Sequence, residues 1–423
     1  MNKGWKEIEL GKEVLLVTKG TTPTSLGKAF KESGVNFIKA ESITNSGVFK
    51  KEYFAYIDIE THQLLERSQL KENDILFSIA GVIGRIAIVT NQILPANTNQ
   101  ALALIRLSKK TNLNKFYLKY FLKGSFVKEQ IRRINVQAAQ ANFSLTDINN
   151  LLILFPPLPQ QKKIAKILST CDLVIEKTEQ AIAKYQALKQ GLMQDLFTRG
   201  IDTQTGKLRP SYQQAPELYK KTELGFIPKE WEVKTVDEIG TAISGGTPSS
   251  NIKNYWNGKI NWITPSDLSK LSGVTINNSI RKITKLGLEN SSALLIRKNS
   301  IVISSRAPIG YCAVVLSDFT TNQGCKSLEM NENQNVYFQY YNFILNITRI
   351  KEKGEGTTFA EISKKAFEKV KFVSPSIQEQ TQIANKLQAI DKKIETEQKS
   401  LTKYEQLKAG LMQDLLTGKV LVS

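Results

Sequence analysis

Apolar residues recur at alternating spacings of four and three in two separate stretches of the chain. The first stretch carries Ile164, Leu168, Cys171, Ile175, Ile182, Tyr185, Leu192 and Leu196, inside a proline-free run from Gln161 to Thr198 rich in Ala, Leu, Lys, Gln and Glu. An average period of 3.5 predicts a long helix with a coiled-coil seam. At 1.5 Å per residue the run makes a rod of about 57 Å. The second stretch repeats the seam at Ile383, Leu387, Ile390, Ile394, Leu401, Tyr404, Leu411 and Leu415. Thr178 and Glu397 interrupt it at equivalent places, where a polar group sets register at some cost in stability. Two matched seams predict an intramolecular antiparallel pair, joined through Ile164, Leu168, Ile175, Ile182, Tyr185 and Leu192 on one helix. Ile383, Leu387, Ile394, Leu401, Tyr404 and Leu411 face them from the other. The plainer alternative packs each helix on its own domain.

The seam repeats because the whole chain does. Lys184-Tyr185-Gln186-Ala187-Leu188-Lys189 returns as Lys403-Tyr404-Glu405-Gln406-Leu407-Lys408, and the match runs without a gap back to Pro156 and Pro375, an offset of 219 residues. Upstream the correspondence loosens. Trp5 matches Trp231, Thr22-Pro23 matches Thr247-Pro248, Asn36-Phe37-Ile38 matches Asn261-Trp262-Ile263, and Thr98-Asn99-Gln100 matches Thr321-Asn322-Gln323. Short apolar runs at Ile75–Ile79 and Ile86–Val89, and again at Ile301–Ser304 and Tyr311–Leu316, predict strands around tight turns. Helical patterns follow at Asn114–Ile134 and Val336–Ile350. The fold class is therefore α+β: two mixed α/β globular domains, each followed by a long helix, related by an internal pseudo-twofold repeat. The expected layout is a globular domain over 1–155, a central helix over 156–198, a linker over 199–230, a second globular domain over 231–374 and a distal helix over 375–418. Gly200, Gly206, Pro210, Pro216 and Pro228 mark the linker as punctuation.

Charge narrows the partners. Among 423 residues, 58 are Lys or Arg and 39 Asp or Glu, a formal charge of +19 that favours polyanions, nucleic acid before anionic membrane. The longest apolar run, Leu151–Phe155, stops at Pro156, far short of the roughly 20 residues that span a bilayer. The N-terminal residues carry no signal-peptide core, and Cys171, Cys312 and Cys325 are scattered, so a cytoplasmic protein with no membrane partner is expected. Cys171, on the seam, reads as a buried structural thiol. His62 is the single histidine and reads as an exposed bystander, which removes most histidine-dependent mechanisms.

Chemistry-bearing motifs fail in turn. Gly206-Lys207 is followed by Leu208, not the Ser or Thr of a phosphate-binding loop. Gly354-Glu355-Gly356 has no strand before it, as a dinucleotide fingerprint requires. Pro156-Pro157 lacks the flanking residues of an amino-methyltransferase loop. No clustered carboxylate set stands out for a metal-dependent nuclease, so no catalytic, cofactor or metal residue is assigned. Loops rich in Ser, Thr, Asn, Gln, Arg and Lys instead suit contact with base edges, because amides pair with adenine and arginine with guanine. The candidates are Thr22, Arg85, Asn99 and Gln100 in the first copy. In the second they are Thr247, Ser249, Thr264, Ser305, Arg306, Asn322, Gln323, Lys326, Thr357 and Thr358. Lys115, Lys119, Lys123, Lys128, Arg132 and Arg133, interleaved with aromatics, read as a solvated face or as part of a phosphate-tracking surface.

Together these residues resemble the specificity (S) subunits of type I restriction–modification systems over nearly the whole chain. The resemblance rests on Gly225-Phe226-Ile227-Pro228 leading to Trp231-Glu232, on Gly245-Gly246-Thr247-Pro248, and on Ser304-Ser305-Arg306-Ala307-Pro308-Ile309-Gly310. Thr321-Asn322-Gln323-Gly324-Cys325, Gly356-Thr357-Thr358, Pro156-Pro157-Leu158-Pro159-Gln160-Gln161 and Gly410-Leu411-Met412 extend it. The first domain departs at Ala80-Gly81-Val82, which stands where the second has Arg306-Ala307-Pro308. The resemblance implies two target recognition domains, each reading one half of a split, asymmetric site in double-stranded DNA. The paired helices would set the unread spacer and dock two modification subunits. Those methyltransferase partners would bring S-adenosylmethionine, and restriction subunits joined through them would bring ATP and Mg; this chain would bind no cofactor itself. Two other readings of the residues stay open: a self-contained enzyme that modifies or cleaves nucleic acid, and a protein scaffold that does not bind DNA.

Overall fold

The computed structural model describes residues 4–136, 143–306, 308–354 and 361–422. The chain divides into two compact units, Met1–Glu179 with Ser400–Ser423, and Gln180–Lys399. Each unit thus takes in part of both long helices, Leu158–Thr198 (the central helix, 41 residues) and Ile377–Leu416 (the distal helix, 40 residues).

In the first unit an antiparallel four-stranded sheet has the order Val14–Lys19, Leu102–Leu107, Ile75–Ser78, Ile86–Ile88. A three-stranded sheet sets Val35–Ile38 antiparallel to Ala55–Ile57 and parallel to Ala96–Thr98. The second unit repeats this plan. Gly240–Ser244, Cys325–Met330, Ser300–Ser304 and Cys312–Val315 are neighbours in one sheet, extended by a parallel edge strand, Thr275–Ile276. Trp256–Ile263 pairs antiparallel with Arg281–Ile283 and parallel with Phe319–Thr321. The central strands Ile75–Ser78 and Ser300–Ser304 are buried along their whole length, as their unbroken apolar runs require.

The expected helix over 114–134 is two helices, Lys115–Lys123 and Ser125–Val136, because Gly124 adopts an extended conformation and ends the first. Val336–Leu345 and Ile347–Lys351 likewise divide at Asn346, whose backbone leaves the helical conformation without becoming extended. Asn114 and Asn335 cap the leading helices, each side chain accepting from two backbone amides.

The repeated Pro-to-Gln segment has a structural purpose. Gln161 is fully buried; it donates to the Pro156 carbonyl (2.8 Å) and accepts from the Asn114 amide (2.7 Å). Gln380 makes the same bracket to Pro375 and Asn335, both at 2.9 Å. Each long helix is thereby fastened to the capped helix of its unit. Farther along, Tyr120 Oη donates to Asp172 (2.6 Å), and Asp172 pairs with Lys408 of the distal helix. Tyr341, Asp391 and Lys189 repeat this, with both contacts at 2.6 Å. Within the first unit Leu168 shares a core with Leu415 while Asp172 pairs with Lys408, and within the second Leu196 shares a core with Ile383 while Lys189 pairs with Asp391. In each unit, therefore, the two helix segments run antiparallel, as the seams predict.

Both the pairing and the plainer packing occur. Ile164 and Leu168 are fully buried in the first unit's core with Tyr117, Phe121, Leu415 and Leu416. Ile383 and Leu387 occupy the matching place in the second unit's core. Ile182 and Ile394 are buried, whereas Ile175, Tyr185, Leu192, Leu401 and Leu411 are half-buried. Tyr404 departs from the expected seam: it is 38% exposed, more open than its counterpart Tyr185.

The segment 199–230 is folded, contrary to its reading as punctuation. Tyr219–Thr222 and Gly225–Pro228 form a hairpin, Tyr212 stacks on Phe226 at 3.9 Å, and Ile201 and Ile227 enter the second unit's core. A buried charge explains the docking. Trp5 donates to Gln160 in the first unit, but Trp231 donates at 3.0 Å to Glu379, which is nearly fully buried. Arg209 supplies the countercharge through both carboxylate oxygens, and the Ile201 amide adds a further hydrogen bond. A buried carboxylate needs such partners, and the segment delivers them.

Candidate nucleic-acid interface

In each unit the Thr-Pro loop and the Asn-Gln turn meet. Thr22 Oγ1 donates to Gln100 Oε1, and Thr247 Oγ1 donates to Gln323 Oε1 at 2.5 Å. Glycine permits the approach: a Cβ on Gly20 would stand 1.7 Å from the Thr98 carbonyl oxygen, and one on Gly245 1.9 Å from that of Asn322. Thr247, Ser249, Gln100 and Gln323 are exposed, and Thr22 is partly so. The second unit's loop is held from below by two tryptophans. Trp262 Nε1 donates to the Gly246 carbonyl (2.9 Å) and Trp256 Nε1 to the Ser249 carbonyl (3.0 Å).

Several sequence candidates prove to build the scaffold. Asn99 and Asn322 turn inward, each accepting from the backbone amide two residues on (Ala101 at 3.3 Å, Gly324 at 3.1 Å). Thr264 caps a short helix through Asp267 (2.5 Å). Ser305 is fully buried and offers no surface to a base. Arg85 is drawn into the first unit, its Nη1 donating to the Ala40 carbonyl at 3.0 Å. The hairpin turns around these residues are formed by Ser78 and Ser304, whose hydroxyls donate to Val82 and Pro308 and accept from the returning strand. His62 is not a bystander: it is half-buried on the short helix Ile59–Leu64, and its Nδ1 lies 2.5 Å from Oδ1 of Asn97 in the strand Ala96–Thr98 of the small sheet. Thr357 and Thr358 lie outside the described residues.

Arg306 and Lys326 are held by a carboxylate that sequence reasoning passed over. Glu361 bonds Arg306 Nε at 2.9 Å and lies 3.9 Å from Lys326 Nζ. Lys326 is 5% exposed, and burial lowers its ammonium below the usual lysine range. Glu361 sits in an ordinary charged stretch, and only the backbone bridge between Arg306 and Glu361 brings it to the site.

The first unit concentrates its charge elsewhere. Lys123, Lys128 and Lys408 line a groove of about 420 Å³ with Asn45, Ile83 and Arg85. Lys119 and Lys123 are half-buried rather than fully solvated. Burial, followed by the neighbouring lysines, lowers Lys123 to about 8, and burial lowers Lys119 as well. Cys312 and Cys325 are buried and Cys171 is half-buried, with burial raising all of these thiols above the ordinary range. They are poor nucleophiles. Among the described residues no group of three or more His, Cys, Asp or Glu side chains is gathered to hold a metal ion, and no helix is long and apolar enough to cross a membrane.

The arrangement is a duplicated one: a single scaffold used twice, with hydrogen-bonding side chains presented from equivalent loops. The chain belongs to the type I restriction modification DNA specificity family, whose domain model matches residues 2–185 and again 228–406. Over 426 residues, 99% of this chain and 94% of the relative, it is 28% identical to the putative type I restriction enzyme MjaX specificity subunit of Methanocaldococcus jannaschii. A 183-residue stretch, 43% of this chain and 42% of that protein, is 37% identical to the MjaIX specificity subunit of the same organism. The solved S subunit of a type I restriction-modification system from M. genitalium shares the fold, with a TM-score of 0.59 at 19% identity over 98% of this chain and 97% of its own.

Proposed function

We propose that this chain is the DNA-reading subunit of a type I restriction–modification complex and that each unit reads one half of a bipartite, asymmetric target. The observation that carries this reading is the repetition of the Thr–Gln loop cluster on two copies of one scaffold whose surrounding side chains differ. Equal scaffolds bind equal DNA backbone, and unequal loop side chains select unequal half-sites. The long helices set the unread spacer. At 41 and 40 residues each spans about 60 Å, beyond the 34–36 Å of one duplex turn. They also offer two symmetry-equivalent faces to two modification subunits. In this reading the chain itself is non-catalytic. The methyltransferase partners carry S-adenosylmethionine, and restriction subunits joined through them carry ATP and Mg.

The test has two arms. The purified chain, alone and with modification subunits, is titrated with duplex DNA at increasing salt, where binding falls steeply because phosphate contacts release counterions. Equal whole turns are then removed from both long helices, and the spacer of the methylated site is measured. A shortened spacer is expected. An unchanged spacer overturns the role of the helices, and methylation or cleavage by the isolated chain overturns the non-catalytic assignment.

A further inference from the structure

We propose that Arg281 reads a guanine in the half-site taken by the second unit, an inference that rests on the DNA-reading function above. Arg281 Cζ lies 3.7 Å from the centre of the Trp256 ring and 5.1 Å from that of Trp262, and the two indoles meet edge to face at 5.0 Å. Both rings are buried, whereas Arg281 is exposed. These are the tryptophans that hold the Gly246 and Ser249 carbonyls, so the guanidinium and the Thr247 loop rise from one rigid base. Among the described residues no carboxylate pairs with Arg281. Arg306 and Lys326, by contrast, are both taken by Glu361. A stacked guanidinium has lost most of its rotational freedom before it meets a ligand and keeps its planar fork of donors for a bidentate acceptor.

Comparison of the two units separates base from phosphate. Both units meet the same backbone, so phosphate contacts belong at positions where the units agree, and base contacts at positions where they differ. Arg281 pairs across the small sheet with Trp262, and the first unit has Ala55 opposite Phe37 at that place. There the aromatic pair is Phe30 and Phe37, and the cation over Phe30 is Lys39, which follows the strand Val35–Ile38 rather than standing opposite Phe37, and is already paired with Glu41. Arg281 therefore belongs to the differing set, and the guanine O6/N7 edge in the major groove is the bidentate base acceptor that arginine fits.

The complete complex with its modification subunits is prepared as wild type, Arg281→Ala and Arg281→Lys, and methylation is measured across a library of randomised targets. Arg281→Ala is expected to lose roughly 10- to 100-fold discrimination at a single G·C position of one half-site. Selectivity in the other half-site should be unchanged, which also reports that the variant is folded. Arg281→Lys keeps the charge without the planar stack and should fall between. Unchanged discrimination in both variants overturns the proposal while leaving the bipartite reading intact. An equal loss on every sequence overturns it in favour of a phosphate contact. A wild-type complex with no bipartite motif overturns the parent function and this inference with it.

Discussion

In the first unit Tyr120, Asp172 and Lys408 form a chain of contacts that Tyr341, Asp391 and Lys189 repeat in the second, and Gln161 and Gln380 make the same bracket. Outside these networks the likeness ends. Where the second unit has Arg281, Arg306 and Lys326, the first has Ala55, Ala80 and Ala103. Where the first has Lys119 and Lys123, the second has Tyr340 and Ile344. The interior carries polar networks whose partial loss leaves buried groups unsatisfied, so duplicated copies retain them together. Positions outside those networks are free to change, and the proposed reading of two different half-sites would use that freedom.

The largest expected effect breaks the likeness inside. Glu379 is buried and charged, whereas its counterpart Gln160 is neutral. Glu379→Ala leaves Arg209 without its countercharge and should cost the second unit about 3–5 kcal/mol, while Gln160→Ala costs the first about 1 kcal/mol. Thermal unfolding followed by domain-resolved hydrogen exchange compares them. Next come the brackets: Gln161→Ala and Gln380→Ala should each cost about 1–3 kcal/mol, equally, through the stranded amide and carbonyl. A large inequality would mean that the repeat is one of sequence rather than of energetics.

Smaller effects address the surface. Glu361→Gln releases Arg306 and Lys326 and should tighten non-specific DNA binding by about 1 kcal/mol, roughly fivefold. The first unit, with alanines at those places, has no equivalent variant. The smallest effect is one of pH. Lys123 is lowered to about 8 in the folded first unit from the ordinary 10.5. Between those values the unfolded chain binds more protons, so the first unit gains stability as pH rises from about 8 to about 10.5. Lys123→Met should flatten that rise, and the second unit, with Ile344, should lack this contribution throughout.

Much of this organisation was legible in the amino-acid order. The repeat and the seams are local periodicities, so the two long helices and their pairing could be read directly. The folding of 199–230 could not be, because it depends on Arg209 meeting Glu379 far along the chain. The site was legible as loops but not as side chains. Thr22, Gln100, Thr247 and Gln323 could be named as candidates but not as partners across two loops, and Ser305, Asn99 and Asn322 lie in the same motifs yet serve the turns. A motif repeated for scaffold reasons looks the same in sequence as one repeated for contact. Glu361 and the tryptophan base under the Thr247 loop became visible only through strand pairing.

The central claim is that two units on one scaffold read two different halves of a single site. Methylome sequencing of a host expressing this chain with its modification partner tests it most directly. The predicted result is one asymmetric motif with two specified blocks separated by a fixed run of unspecified positions. A single contiguous block, two identical blocks or no motif at all would contradict it.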